Sequence, residues 1–127
     1  MADFAQKRIL LVEDDILLSK LLSKKLADNN ADVSRALDGE EAISMIKNNP
    51  KFDLVLLDIM LPKVDGFQVL EAIRADEDKK ATIVVILSNL GQKNDIERGV
   101  SLGAKKFLVK AILSPDDIVE EVDTILK

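Results

Sequence analysis

At 127 residues, 47% apolar and 32% charged, the chain is long enough for one compact domain with a real core and too short for two of ordinary size, and no apolar run reaches the length needed to span a bilayer. Its 23 Asp and Glu against 18 Lys and Arg leave a net charge of −5, which disfavours phosphate backbones and anionic lipid, so the expected partners are proteins, with no direct nucleic-acid or membrane binding. The absence of Cys and His excludes disulfides, thiolate chemistry, imidazole metal ligands and a phosphohistidine formed on this chain, while residues 1–6 lack the basic start and apolar core of a secretory signal, so a cytoplasmic location is expected.

Residues 9–12 are wholly apolar and suit a strand buried on both faces. Leu18, Leu21, Leu22 and Leu26 then recur at helical spacing and predict the first helix. Residues 33–36, flanked by Asp32 and containing Arg35, read as an edge strand, and "DGEEAISMIKNN" follows as the second helix. Residues 54–57 form another doubly buried strand, after which Phe67, Leu70 and Ile73 mark the third helix. Residues 83–87 give the fourth strand and "GQKNDIERGVSLG" the fourth helix, within which Gly99 costs about 1 kcal/mol relative to Ala and predicts a marginal, movable element. A second edge strand, 107–109, lies among Lys105, Lys106 and Lys110. "SPDDIVEEVDTIL" closes the chain as the fifth helix, with Ser114 to cap it, Pro115 in its first turn, and Asp116 and Asp117 favouring its dipole.

Strict strand and helix alternation with right-handed crossovers implies a doubly wound parallel sheet, α/β in class. With the three apolar strands inside and the two polar-flanked ones outside, the expected architecture is a flavodoxin-like (βα)5 fold in the order 2-1-3-4-5. A single domain over 1–127 is expected, its core spanning 8–126 after a short N-terminal extension, 1–7.

In such a sheet the C-terminal strand ends share one edge, where ligands bind. Those ends carry Glu13, Asp14 and Asp15, then Asp58, then Ser88, then Lys110. Taken singly, Asp15 reads as a helix cap, Ser88 as a turn residue and Lys110 as a solvated charge. Together, several carboxylates in one crevice repel, and a hard divalent ion such as Mg²⁺ is the simplest remedy. Glu13, Asp14, Asp58 and one backbone carbonyl would hold it. If Asp58 attacked a phosphoryl group, the product's oxygens would find the metal, the Ser88 hydroxyl and the Lys110 ammonium.

The blocks "ILLVEDD", "LVLLDIMLPKVDG", "VVILSN" and "FLVK", in order and spacing, closely resemble the receiver domain of two-component response regulators from Arg8 to Leu126. The resemblance implies that Asp58 is the phosphoacceptor, with Asp14 directly on Mg²⁺, Glu13 acting through water and Met60 lending its backbone carbonyl. It makes Ser88 the switch hydroxyl, Lys110 the phosphoryl-binding cation and Phe107 the aromatic that changes rotamer, although Phe107 also reads as an ordinary edge-strand core residue. Met60 and Leu90 are expected to flank the path of an attacking water. Pro62 and Gly66 read as turn chemistry, and Asp65 as a cap. Lys110 is expected to meet ligand rather than core, so its loss should not unfold the chain.

Two departures stand out. The resembled family usually places a cis-linked Pro after the lysine, where this chain has Ala111, and a cis bond without proline costs roughly 2.5–4 kcal/mol. Lys105 and Lys106 also stand where acids are frequent, which changes the charge of the docking surface. The expected function is that of a stand-alone receiver, phosphorylated on Asp58 by a histidine kinase or phosphotransfer protein, that switches a downstream protein bound on the face of the fourth helix, fifth strand and fifth helix. Rival readings are a constitutive docking module without phosphorylation, or an Mg²⁺-dependent aspartyl phosphatase. The dehalogenase-type phosphatase needs a second Asp where Met60 stands. Neither G-x-x-x-x-G-K-[ST] nor G-x-G-x-x-G occurs, which leaves nucleotide binding unsupported.

Overall fold

The five strands are β1 (Arg8–Val12), β2 (Asp32–Ala36), β3 (Leu54–Leu57), β4 (Ile83–Ser88) and β5 (Lys106–Val109). They pair in parallel in the order β2-β1-β3-β4-β5, as the alternation required. The computed structural model describes residues 2–89 and 93–127; Leu90, expected beside the path of an attacking water, lies outside that set. The helices are α1 (Ile16–Asp28), α2 (Gly39–Asn48), α3 (Gly66–Ala75), α4 (Lys93–Ser101) and α5 (Pro115–Leu126), with a 3-10 turn at Lys110–Ile112 before α5.

Because side chains alternate along a strand, each central strand feeds two layers. Ile9, Leu11, Leu54, Leu56, Val85 and Leu87 pack with Leu22 and Leu26 of α1 and with Ile118, Val119 and Val122 of α5. Leu10, Val12, Val55, Leu57, Val84 and Ile86 pack with Ala42 and Ile46 of α2 and with Phe67, Leu70 and Ile73 of α3. Register keeps like with like: Leu10 pairs with Val55 and Val55 with Val84. Each fully buried Leu or Ile contributes about 1.5–3 kcal/mol, so this two-sided core fixes where the strands stop.

One expectation about the helices needs correction. Leu21 lies off the buried stripe of α1, 43% exposed, while Ser19 is fully buried and its hydroxyl accepts from Arg35 Nε at 2.9 Å. The short N-terminal extension adds to the core: Phe4 is buried in the α1 and α5 layer, and Phe4 N and Gln6 N donate to the carbonyls of Asn29 and Asn30, each at 2.8 Å. Gly99 of α4 is buried, with Ile86 of β4 directly beneath it. Arg74, which the sequence did not single out, clamps the turn before β5 by donating to the carbonyls of Leu102 (3.0 Å) and Gly103 (2.7 Å), and holds Thr82 O at 2.9 Å.

Candidate metal and phosphoryl site

The β1 and β3 ladders run one residue past the strands: Glu13 N donates to Ala36 O at 3.1 Å and Asp58 N to Val12 O at 3.0 Å. Both residues are thereby anchored at the sheet edge through their backbone. Asp15 caps α1, accepting from Leu18 N at 3.2 Å, which is its local role. Asp65 forms a capping box with Gln68 at the start of α3, in line with its reading as a cap.

A crevice of about 530 Å³ opens over these strand ends, lined by Glu13, Asp14, Asp58, Met60, Ser88 and Lys110 together with Asp15, Leu18 and Asn89. Glu13 is only 1% exposed and Asp58 5%, while Asp14 is exposed. Carboxylate oxygens of these three lie within 4.8 Å of one another. Asp58 does not lack a cation: the Lys110 ammonium donates to Asp58 Oδ2 at 3.0 Å and also pairs with Glu13 Oε1. Three carboxylates against one ammonium still leave excess negative charge, so room for a hard cation persists.

The electrostatics follow from burial. Burial pushes the Glu13 carboxyl up to about 7, against the opposing hydrogen bonds from Lys110 and the Asp15 amide. Burial opposes the charge on Lys110, yet its hydrogen bonds to Glu13 and Asp58, with their charges, outweigh that and hold it above the ordinary lysine value. Both Glu13 oxygens have partners, since Oε2 accepts from Asp15 N at 3.1 Å.

Lys110 opens the 3-10 turn, and its bond to Ala111 is trans, with no cis peptide among the described residues. Ser88 is buried at the end of β4, opposite Val109. Phe107 sits opposite Ile86, half-buried in the α2 and α3 layer and away from the crevice lining. Gly66 was read as turn chemistry alone; its φ is not left-handed, and the reason for glycine is close approach, because a Cβ there would lie 2.2 Å from the Asp58 carbonyl oxygen. That contact was invisible in the sequence, since the two residues meet only after the loop has turned.

The model of the response regulator receiver domain matches residues 9–123. The chain belongs to this family. This receiver is 35% identical over 125 residues to the chemotaxis protein CheY of Treponema pallidum, covering 97% of this chain and 85% of that one. It is 40% identical over 114 residues to the DNA-binding dual master transcriptional regulator RpaA of Synechocystis, covering 89% of this chain and 45% of that one. The receiver spans about half the length of the transcriptional regulators it matches, 45% to 49%. Among solved structures, chemotaxis protein CheY4 of Vibrio cholerae superposes with a TM-score of 0.87 at 26% identity, over 95% of this chain and 99% of that one. A chain of the CheX-CheY-BeF3-Mg+2 complex of Borrelia burgdorferi does so with 0.86 at 31% identity, over 95% and 90%. The fold is thus CheY-like, and the receiver belongs to two-component signalling. Among the described residues, no helix is long and apolar enough to cross a membrane.

Proposed function

We propose that this receiver accepts a phosphoryl group on Asp58 in an Mg²⁺-dependent reaction and thereby switches a protein-binding face. One observation carries the reading: Asp58 is held at the end of a buried strand with an ammonium 3.0 Å from Oδ2 and two further carboxylates beside it. An Asp58 oxygen attacks the phosphorus of a phosphohistidine on a partner kinase or phosphotransfer protein, the P–N bond breaks, and the nitrogen keeps the electron pair. Lys110 then exchanges its bond to Asp58 for a phosphoryl oxygen, and the Ser88 hydroxyl donates to another.

The donor set fits Mg²⁺, being all oxygen and excess in negative charge. Asp14, Asp58 and the Met60 carbonyl would hold it directly. Glu13, whose two oxygens are committed to Lys110 and the Asp15 amide, suits a ligand acting through water. When bound, the ion neutralises charge on the transferring oxygens.

Drawing Ser88 toward the phosphoryl group pulls on the segment between β4 and α4 and makes room for Phe107 to turn inward. The face of α4, β5 and α5 would then change for a downstream partner. Lys106 is tied there to Glu121 of α5 at 2.5 Å, whereas Lys105 is exposed.

Mass spectrometry after incubation with a small acyl phosphate, with Mg²⁺ or with chelator, tests the core of this. One acid- and base-labile phosphoryl group is expected, only with Mg²⁺. An Asp58→Asn variant modified as fully as wild type would falsify the site assignment, and no uptake at all would favour the constitutive docking module.

A further inference from the structure

We propose that Gly39, the first residue of α2, is a positioning residue for the metal side of the site, acting through the Val64 carbonyl on the loop that follows Asp58. The inference rests on the reading of Asp58 and its neighbours as an Mg²⁺-dependent acceptor. Residues 59–65 leave β3 directly after Asp58 and carry Met60, which lines the crevice. Their own hydrogen bonds are two tight turns, Leu61 N to Ile59 O at 3.0 Å and Val64 N to Pro62 O at 2.8 Å, and one bond across the base of the loop, Gly66 N to Ile59 O at 2.8 Å, which leaves the outer part of the loop without a backbone tie of its own to the sheet. Lys63 stands in the left-handed region at φ 69. A loop of this kind takes its position from what surrounds it.

Two glycines supply that surround. Gly66 closes the loop against the Asp58 carbonyl, as described above. At the outer side, a Cβ on Gly39 would lie 1.9 Å from Val64 O, 2.7 Å from its carbonyl carbon and 2.8 Å from its Cβ. The obstacle is backbone, so no flexible side chain can yield. Alongside, Gly39 N approaches Pro62 O at 3.5 Å and Lys63 Nζ lies 3.6 Å from Asp38 Oδ2.

Nothing within α2 itself calls for glycine. Position 39 is helical, its φ is not left-handed, and Asp38 already caps the helix by accepting from Glu41 N at 2.8 Å. Alanine would be the better helix former there. The missing Cβ is therefore accounted for by the loop. Adding it displaces Val64 and, through the same short loop, Met60, while Asp58 stays in the strand ladder through its bond to Val12 O. The acceptor would be intact and the metal side displaced.

Calorimetric Mg²⁺ titration of the intact chain tests this, comparing wild type with Gly39→Ala, Val64→Gly and Ile46→Val, the last a core change at the far end of the same helix. Gly39→Ala is expected to bind Mg²⁺ more weakly by about tenfold, Val64→Gly to weaken it in the same direction by loosening the contact without a clash, and Ile46→Val to bind as wild type. If wild type binds no Mg²⁺, the metal reading fails and this role falls with it. If wild type binds and a folded Gly39→Ala binds equally well, only the positioning role is overturned. Should Gly39→Ala not fold, wild-type affinity in Val64→Gly overturns it, as does an equal loss of affinity in Ile46→Val.

Discussion

The Lys110 ammonium reaches across the end of β4 to Asp58, meeting Oδ2 at 3.0 Å, so the proposed phosphoryl-binding cation is already engaged with the proposed acceptor. The same ammonium pairs with Glu13, and the Lys110 side chain is only 10% exposed. Its expected role as a group that meets ligand alone therefore has to be revised. Removing one partner from a buried charge cluster leaves the others uncompensated, which costs about 3–5 kcal/mol.

Lys110→Ala is accordingly expected to lower stability in chelator by about 3 kcal/mol, at the low end of that range because Glu13 can take up a proton. Urea unfolding with and without Mg²⁺ measures it. Part of the loss should return when Mg²⁺ is added, since a cation binding only the folded state stabilises it. A variant as stable as wild type in chelator would restore the purely ligand-binding role.

Glu13 sets a pH dependence whose sign is fixed by its elevated pKa. Its carboxyl moves from 4.5 when unfolded to about 7 when folded, so the folded state holds the proton more tightly. The stability this contributes is complete below 4.5 and is lost as pH rises through 7. Metal-free protein should thus gain up to about 3 kcal/mol on acidification from about pH 8 to about pH 5. Thermal unfolding in chelator, compared with Glu13→Gln, isolates the term, because the glutamine variant should lack it. Protonated Glu13 is also a poor metal partner, so the stabilisation by Mg²⁺ should shrink over the same interval. Equal Mg²⁺ effects at both ends would contradict the assignment.

Most of this fold was legible because doubly buried strands must be apolar throughout, as residues 54–57 are, and because parallel strands bring their C-terminal residues to one edge. Glu13, Asp14, Asp58, Met60, Ser88 and Lys110 meet for that topological reason. What remained hidden depends on contacts between distant backbones or on a polar partner. Ser19 is buried in place of Leu21 because Arg35 satisfies its hydroxyl, a pairing that helical periodicity cannot anticipate. Gly66 reads as turn chemistry, and Gly39 as one residue of a helical stretch, until Asp58 and Val64 are brought beside them. The attachment of Lys110 to Glu13 joins β5 to β1 and has no local signature.

A protein phosphodonor, unlike a small one, must dock beside the crevice. Ile16 (54% exposed) and Leu17 (80%) lie on α1 between the crevice residues Asp15 and Leu18, and Ile112 (79%) follows Lys110 in the 3-10 turn. Large apolar groups so exposed suit a partner surface. Leu17→Asp and Ile112→Asp are expected to slow transfer from a cognate phosphohistidine protein by about tenfold each, while leaving uptake from a small acyl phosphate and the melting temperature unchanged. Equal slowing with both donors would assign these residues to the architecture of the site instead.

Gly99 brings α4 onto β4, and what its missing Cβ contributes is open to a direct test. As a bare helix position it would gain about 1 kcal/mol from alanine. A Cβ there, however, would lie 2.5 Å from Ile86 Cδ1 and 3.6 Å from Phe107 Cδ2, and overpacking of this kind costs about 1–3 kcal/mol. Gly99→Ala is therefore expected to destabilise the receiver by about 1 kcal/mol. Ile86→Val removes the obstructing Cδ1, so in that background Gly99→Ala should become neutral or stabilising, a coupling that a double-mutant cycle in urea reads directly. If Gly99→Ala stabilises the wild-type background, the glycine is a simple propensity defect rather than the requirement of a close, side-chain-free contact with β4.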